Sequence, residues 1–147
     1  MDSRKIVAAV LAFILAAGGV GGCSWLDAKQ RQWIFQPSKE DVSQRWGVPP
    51  HYEDVWIPVG GQRLHGWWVA HPAGDKAPTL LYLHGARWNV TGAGFRIKRL
   101  AEIGFNVLAI DYRGFGQSDG EMPSEETAYE DAQAAWAWVK RRQPDAA

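Results

Sequence analysis

The sequence predicts an α/β fold in which a β-hairpin leads into a βαβ unit and then a further helix. Three observations carry this reading. Thr79 to Leu83 and Phe105 to Ile110 are continuous apolar runs without polar alternation, the pattern of strands buried on both faces of a parallel sheet. Between them, Gly94 to Ile103 sets Phe95, Ile97, Leu100, Ala101 and Ile103 at helical spacing. Beyond them, Glu125 to Arg142 reads as a long amphipathic helix.

Composition narrows the function classes. The chain has 147 residues, enough for one domain or part of one. Lys plus Arg and Asp plus Glu each total 16, so the net charge is zero and no basic excess exists to neutralise nucleic-acid phosphates. With 46% apolar and 22% charged residues the chain is globular in character, not disordered or fibrous. Nine tryptophans, spread from Trp25 to Trp138, suggest amphipathic anchors at rims and interfaces. The single cysteine, Cys23, excludes an intrachain disulfide and a cysteine-based zinc site.

Residues 1–22 read as an export signal: Arg4 and Lys5, the apolar run Ile6 to Ala17, then small residues up to Cys23. The apolar run is too short and too glycine-rich at its end for a comfortable membrane span. Val20-Gly21-Gly22-Cys23 resembles the lipobox of bacterial lipoproteins. The resemblance implies cleavage before Cys23, acylation of its thiol and new amino terminus, and an exported lipoprotein held at a membrane of the bacterial cell envelope. An uncleaved signal anchor and an ordinary soluble export signal are the alternatives. Residues 23–50 read as a tether that lays a few aromatics, among them Trp33 and Phe35, on the edge of a domain at 51–147.

Within that domain, Tyr52 to Val59 and Arg63 to Ala70 are β-rich runs around Gly60-Gly61-Gln62, which predicts a hairpin. Alternation would turn one of Trp67 and Trp68 inward and the other outward, in edge packing. Gly104 stops the crossover helix, and a right-handed βαβ connection is expected. The last helix has Ser124 as its cap, Glu125 and Glu126 at the positive end of its dipole, and Lys140-Arg141-Arg142 at the negative end. Its expected apolar stripe is Tyr129, Ala132, Trp136 and Val139, and Pro144 follows as a breaker.

His84-Gly85 follows the first buried strand directly, and Asp111-Tyr112-Arg113-Gly114-Phe115-Gly116-Gln117-Ser118-Asp119-Gly120 follows the second. With Leu64-His65-Gly66-Trp67-Trp68, these motifs resemble the amino-terminal half of an α/β hydrolase, in the serine-aminopeptidase-like and acylglycerol-lipase-like branch, over Tyr52 to Arg142. The resemblance implies a serine hydrolase that cleaves a small ester or amide substrate by acyl transfer. It also implies that the loop after the His-Gly pair supplies an oxyanion-hole N–H. A fixed N–H stabilises the alkoxide formed on carbonyl attack without reorganisation, and one such donor contributes roughly 2.7–4 kcal/mol. Carried onto this chain, Ala86 is the donor, His84 and Gly85 shape the turn, and Asn89 pins it. Ala86-Arg87-Trp88 departs from the small polar or glycine-rich run that many relatives carry there. The His84 imidazole has a simpler reading, a hydrogen bond to its own loop.

Gly116-Gln117-Ser118-Asp119-Gly120 matches the G-x-S-x-G pattern, yet Ser118 makes a poor nucleophile. An elbow serine sits on a tight strand-to-helix turn, whereas Ser118 lies well beyond Asp111 with Pro123 before the helix. The base histidine follows the serine in this fold, and His51, His65, His71 and His84 all precede Ser118. Nucleophile, acid and base are therefore expected in segments beyond this sequence, and the chain is expected to be an inactive piece of a longer enzyme. A non-catalytic truncated lipoprotein or binding module is the alternative. With its next neighbour missing, the 105–110 strand is expected at an unpaired sheet edge, with poor solubility.

The remaining signals are weaker. Asp111 and Arg113 fit a loop ion pair or backbone hydrogen bonds better than catalysis. His65 and His71 have no third ligand at sensible spacing, so no metal site is expected. Gly114-Phe115-Gly116 echoes a dinucleotide loop, but residue 119 is aspartate and the helix starts too late to meet a pyrophosphate. No cofactor is expected. The expected partners are a membrane, through lipidated Cys23, and a small ester or amide.

Overall fold

The computed structural model describes residues 25–144, so the export signal and Cys23 lie outside the described residues. The chain divides into two units, one ending at Ile34 and the other beginning at Phe35. In the first unit residues 25–34 are helical (α1), with an Arg31 to Asp27 ion pair of 2.9 Å one turn apart.

In the second unit the elements are β1 (Gln36–Pro37), α2 (Ser43–Trp46), β2 (Tyr52–Val59), β3 (Gln62–Val69), β4 (Thr79–Leu83), β5 (Arg87–Trp88), α3 (Gly94–Glu102), β6 (Asn106–Ile110) and α4 (Glu125–Arg142). The compact unit thus reaches back to Phe35, and residues 35–50, expected as tether, are part of it. β1 pairs in parallel with β5, which ties the start of the unit to the loop after β4.

The main sheet has the order β2-β3-β6-β4. β2 and β3 form an antiparallel hairpin whose two loop residues, Gly60 and Gly61, have φ of 54° and 76°. Positive φ at both positions is the demand of a type I′ turn, which glycine meets without steric cost. β3 pairs antiparallel with β6, and β6 pairs parallel with β4, so the predicted βαβ unit is present with α3 as its crossover. The edge is not where the sequence placed it. β6 is flanked on both sides, and the strands with one ladder neighbour among the described residues are β2 and β4, of which β4 is the edge on the parallel side. The order of strands is a long-range fact: the hairpin takes the side of β6 that chain order would have given to the next strand.

Two clusters fill the two faces of the sheet. Val55, Ile57, Leu64, Trp68, Leu108 and Ile110 meet Ala135 and Val139 of α4 on one face. Trp67, Val69, Val107 and Ala109 meet Ile97 of α3, with Val90 and Ala93, on the other. Trp67 and Trp68 do alternate, but both are buried, because β3 is an interior strand with a helix layer on each side and not an edge. Phe95 and Ile103 of the predicted α3 stripe point to solvent, at 68% and 61% exposure.

The last helix matches its predicted limits. Ser124 Oγ accepts from the Thr127 N–H at 3.1 Å and Thr127 Oγ1 accepts from the Ser124 N–H at 2.8 Å, a reciprocal capping box. Its buried face is Asp131, Ala135 and Val139, with Trp138 packed beside them, whereas Tyr129 is exposed. The face is turned by about one residue from the expected stripe. A buried aspartate is the reason, since an apolar stripe read from sequence skips every charged position.

Candidate active site

The carboxyl ends of β4 and β6 place the His-Gly and Asp-Tyr-Arg-Gly motifs side by side. Asp111 is the hub. Its carboxylate is almost fully buried; Oδ1 accepts the Val90 N–H at 2.7 Å and Oδ2 meets His65 Nδ1 at 3.0 Å. Its main chain is held as well, with the N–H donating to the His65 carbonyl at 2.8 Å and the carbonyl accepting the Ser118 hydroxyl at 2.7 Å. Gly116, at φ 49°, passes so close that a Cβ there would lie 2.1 Å from Asp111 Oδ2. Only glycine fits that approach.

His65 bridges two carboxylates. Nδ1 faces Asp111 and Nε2 meets Asp54 Oδ1 at 2.8 Å. Burial pulls the imidazole pKa down, but hydrogen bonds and charge from Asp111 and Asp54 outweigh it, so the pKa lies above the ordinary histidine value. Asp54 was missed in the sequence, although β2 and β3 register sets Trp56 opposite His65 and so makes Asp54 its diagonal neighbour on the same face. On the other side of Asp111, His84 donates from Nδ1 to the Gly85 carbonyl at 2.6 Å. That is the simpler reading of this imidazole. Its Nε2 lies 3.8 Å from Asp111 Oδ1, buried and without a hydrogen-bond partner among the described residues. Burial lowers the His84 pKa against the opposing pull of Gly85 and Asp111, which favours the neutral ring, and the Gly85 carbonyl, which only accepts, assigns the proton to Nδ1. Tyr112 and Phe115 close over it with ring centroids 5.1 and 4.8 Å away.

Gly85 and Ala86 are exposed on the loop beyond His84. The Ala86 carbonyl accepts from the Gln36 N–H at 3.0 Å, while the Ala86 N–H takes no hydrogen bond among the described residues. A depression of about 440 Å³ lies on one side of the loop, lined by Tyr82, His84, Ala86, Trp88, Asn89 and Arg96. A smaller one of about 140 Å³ lies on the other, with Phe35, Tyr112, Phe115 and Pro123 in its wall. His84, Gly85 and Ala86 line both.

The segment at 36–42 straps this loop, which the sequence did not foretell. Asn89 Nδ2 donates to the carbonyls of Ser38 and Glu40 at 3.0 and 2.9 Å, and its Oδ1 accepts from the Thr91 N–H at 3.0 Å. Asn89 is a pin, as expected, but its anchor is the supposed tether. The Gly116 N–H donates to the same Ser38 carbonyl at 2.9 Å, so one strap joins both motif loops. Trp88 sits at φ 68°, a left-handed conformation costly for a bulky residue, between the two strapped points Ala86 and Asn89.

Ser118 is buried, and its hydroxyl is spent on main chain: it donates to the Asp111 carbonyl and accepts the His65 N–H at 2.8 Å. No acid or base side chain touches it among the described residues. Arg113 is a structural ion pair. Its Nε and main-chain N–H donate to the two oxygens of buried Asp131 at 2.6 and 2.8 Å, and its Nη2 donates to Glu130 at 2.6 Å. His71 Nδ1 accepts the Ala73 N–H at 3.1 Å inside its own turn. No three His, Cys, Asp or Glu side chains gather as a metal site among the described residues.

Comparison with known proteins agrees with this fold. The serine aminopeptidase S33 family profile matches residues 74–147. An uncharacterized protein of Mycobacterium tuberculosis is 34% identical over 140 residues, covering 95% of this chain and 50% of its own length. The α/β hydrolase domain-containing protein WAV2 of Arabidopsis thaliana is 30% identical, covering 88% of this chain and 45% of its own. Among solved structures, an esterase of Pyrococcus furiosus superposes with a TM-score of 0.58 at 26% identity, over 76% of this chain and 44% of the esterase. The chain thus spans about half the length of these relatives. It belongs to the serine aminopeptidase S33 family of α/β hydrolases and carries the amino-terminal part of that fold.

Proposed function

We propose that this chain is the oxyanion-stabilising half of a lipid-anchored serine hydrolase, which cleaves an ester or amide through an acyl-enzyme. The observation that carries the proposal is the unclaimed Ala86 N–H, on a loop held from three directions between two depressions. A donor fixed before the reaction stabilises the developing alkoxide at no reorganisation cost. His84 and Gly85 shape the turn, and Asn89 holds it down. The nucleophile, its acid and its base are assigned to segments outside these residues, so the 147-residue chain alone is inactive. The engagement of Ser118 with main chain and the half-length coverage of the relatives support that division.

The remaining parts of the proposal rest on the amino-terminal sequence. Residues 1–22 are the export signal, Cys23 is the acylated residue, and the protein is a membrane-anchored lipoprotein of a bacterial cell envelope. No cofactor, metal or nucleic acid takes part.

Two variants of the full-length gene product test the proposal. Ala86→Pro deletes the N–H and lowers kcat toward an ester by about 10²–10³-fold, whereas Ala86→Gly keeps the N–H and most of the rate. Equal loss in both variants would remove Ala86 N–H from the oxyanion role. Cys23→Ser moves the protein out of the membrane fraction; retention there would contradict the acyl anchor.

A further inference from the structure

We infer that His65 is a positioning residue for the oxyanion loop, acting as an imidazolium clamped between Asp54 and Asp111. The inference builds on the role proposed for the 84–90 loop but is tested independently of it. Three anchors fix that loop: Gln36 on the Ala86 carbonyl, the Ser38 and Glu40 carbonyls on Asn89, and Asp111 on the Val90 N–H. The third is joined to a titrating group. Asp111 Oδ1 holds Val90, Oδ2 holds His65 Nδ1, and His65 Nε2 holds Asp54.

The charge state follows from donor counting. Two carboxylates face the two ring nitrogens, and a carboxylate only accepts. A neutral imidazole has one N–H and leaves its lone pair against the other carboxylate. The imidazolium has two and satisfies both. Other groups around the ring do not supply the missing donor. The Trp56 ring packs at 5.2 Å, the Ser118 hydroxyl is committed to main chain, and the Arg63 guanidinium lies over Trp56 and reaches Asp119. Across Asp111, His84 presents its unprotonated Nε2 at 3.8 Å and donates nothing to that carboxylate. Among the described residues His65 is therefore the cation in contact with the buried Asp111 carboxylate, and burial makes an unpaired carboxylate costly.

When His65 loses its proton, its single remaining N–H stays with buried Asp111 and the half-exposed Asp54 arm is released. Asp111 then meets a neutral donor, its negative charge is less compensated, and its hydrogen bond to the Val90 N–H changes with it. The loop end carrying Val90 is thereby coupled to a protonation event on the hairpin.

Nitrogen-resolved NMR of the full-length protein reads this without any substrate. At neutral pH both His65 ring nitrogens should appear protonated, and the Val90 amide shift should titrate with the same midpoint as the ring, above the ordinary histidine range. In Asp54→Asn, a half-exposed position where the fold is expected to survive, that shared midpoint should move down for both signals. A neutral His65 at neutral pH, or a Val90 amide that stays fixed while His65 titrates, overturns the inference. In an ester assay, Asp54→Asn should lower kcat at the alkaline end of the profile with KM little changed. Absence of any ester turnover would instead strike the hydrolase reading and leave the NMR result to stand by itself.

Discussion

Asp131 and Arg113 form a charge pair whose carboxylate is wholly buried, so removing Asp131 strips the Arg113 Nε and main-chain N–H of their acceptors and leaves the guanidinium, at 11% exposure, only its half-exposed partner Glu130. Asp131→Ala is expected to cost about 3–5 kcal/mol, the range for breaking a buried pair, measured as a lowered urea midpoint at unchanged slope. His65 makes the complementary prediction in pH. Its folded pKa is raised above the ordinary value, so the Asp54 and Asp111 contacts stabilise the fold fully below the ordinary histidine pKa. That stability is lost as pH rises through the higher folded pKa. The stability difference between wild type and Asp54→Asn, taken from urea curves, should therefore be widest in mild acid and shrink in alkali. A difference that grows with pH would reverse the assignment. At this scale the sequence showed the motif residues and the bland role of the His84 ring. It hid Asp131 and Ser38, because each acts through a partner on another element, at separations no local pattern encodes, whereas Asp54 follows from the hairpin register once that register is carried through to the diagonal pair with His65.

Elements were most legible where their signals are local. The limits of α4, at Glu125 and Arg142, came from capping and charge bias, and both are interactions within one turn. Ser124→Ala is expected to cost about 1 kcal/mol by urea denaturation, since it deletes the acceptor of the Thr127 N–H. The hairpin was legible from Gly60-Gly61 for the same reason. Burial was less legible. Ile97 is fully enclosed between α3 and the sheet while Phe95 two residues earlier is exposed, and helical spacing alone admitted both. Ile97→Ala should cost about 2–5 kcal/mol and Phe95→Ala far less in the same assay, which separates the core residue from the apparent one. Residues 35–50 were read as a tether laying aromatics on the domain edge, and β1 and the strap were not legible there, because they work by hydrogen bonds to carbonyls, which carry no residue signature.

For the molecule as a whole, class and connectivity were legible and strand order was not. Continuous apolar runs identify buried strands, but the hairpin's choice to pair with β6 is settled only by packing across the sheet. Among the described residues the edge on the parallel side of the sheet is therefore β4, where Leu83 is 39% exposed. A charge on such an edge discourages strand-to-strand association. Leu83→Lys in the 147-residue chain should reduce self-association in sedimentation velocity, whereas a lysine at Asn106 in buried β6 should unfold the sheet. The division of labour between loop and nucleophile also belongs to this scale. It is tested most directly by treating the purified 147-residue chain with a serine-directed fluorophosphonate and mapping adducts by mass spectrometry. No serine should be labelled, with Ser118 silent because its hydroxyl is engaged on both sides. A stoichiometric adduct at Ser118 would contradict the account and place the attacking group within this chain.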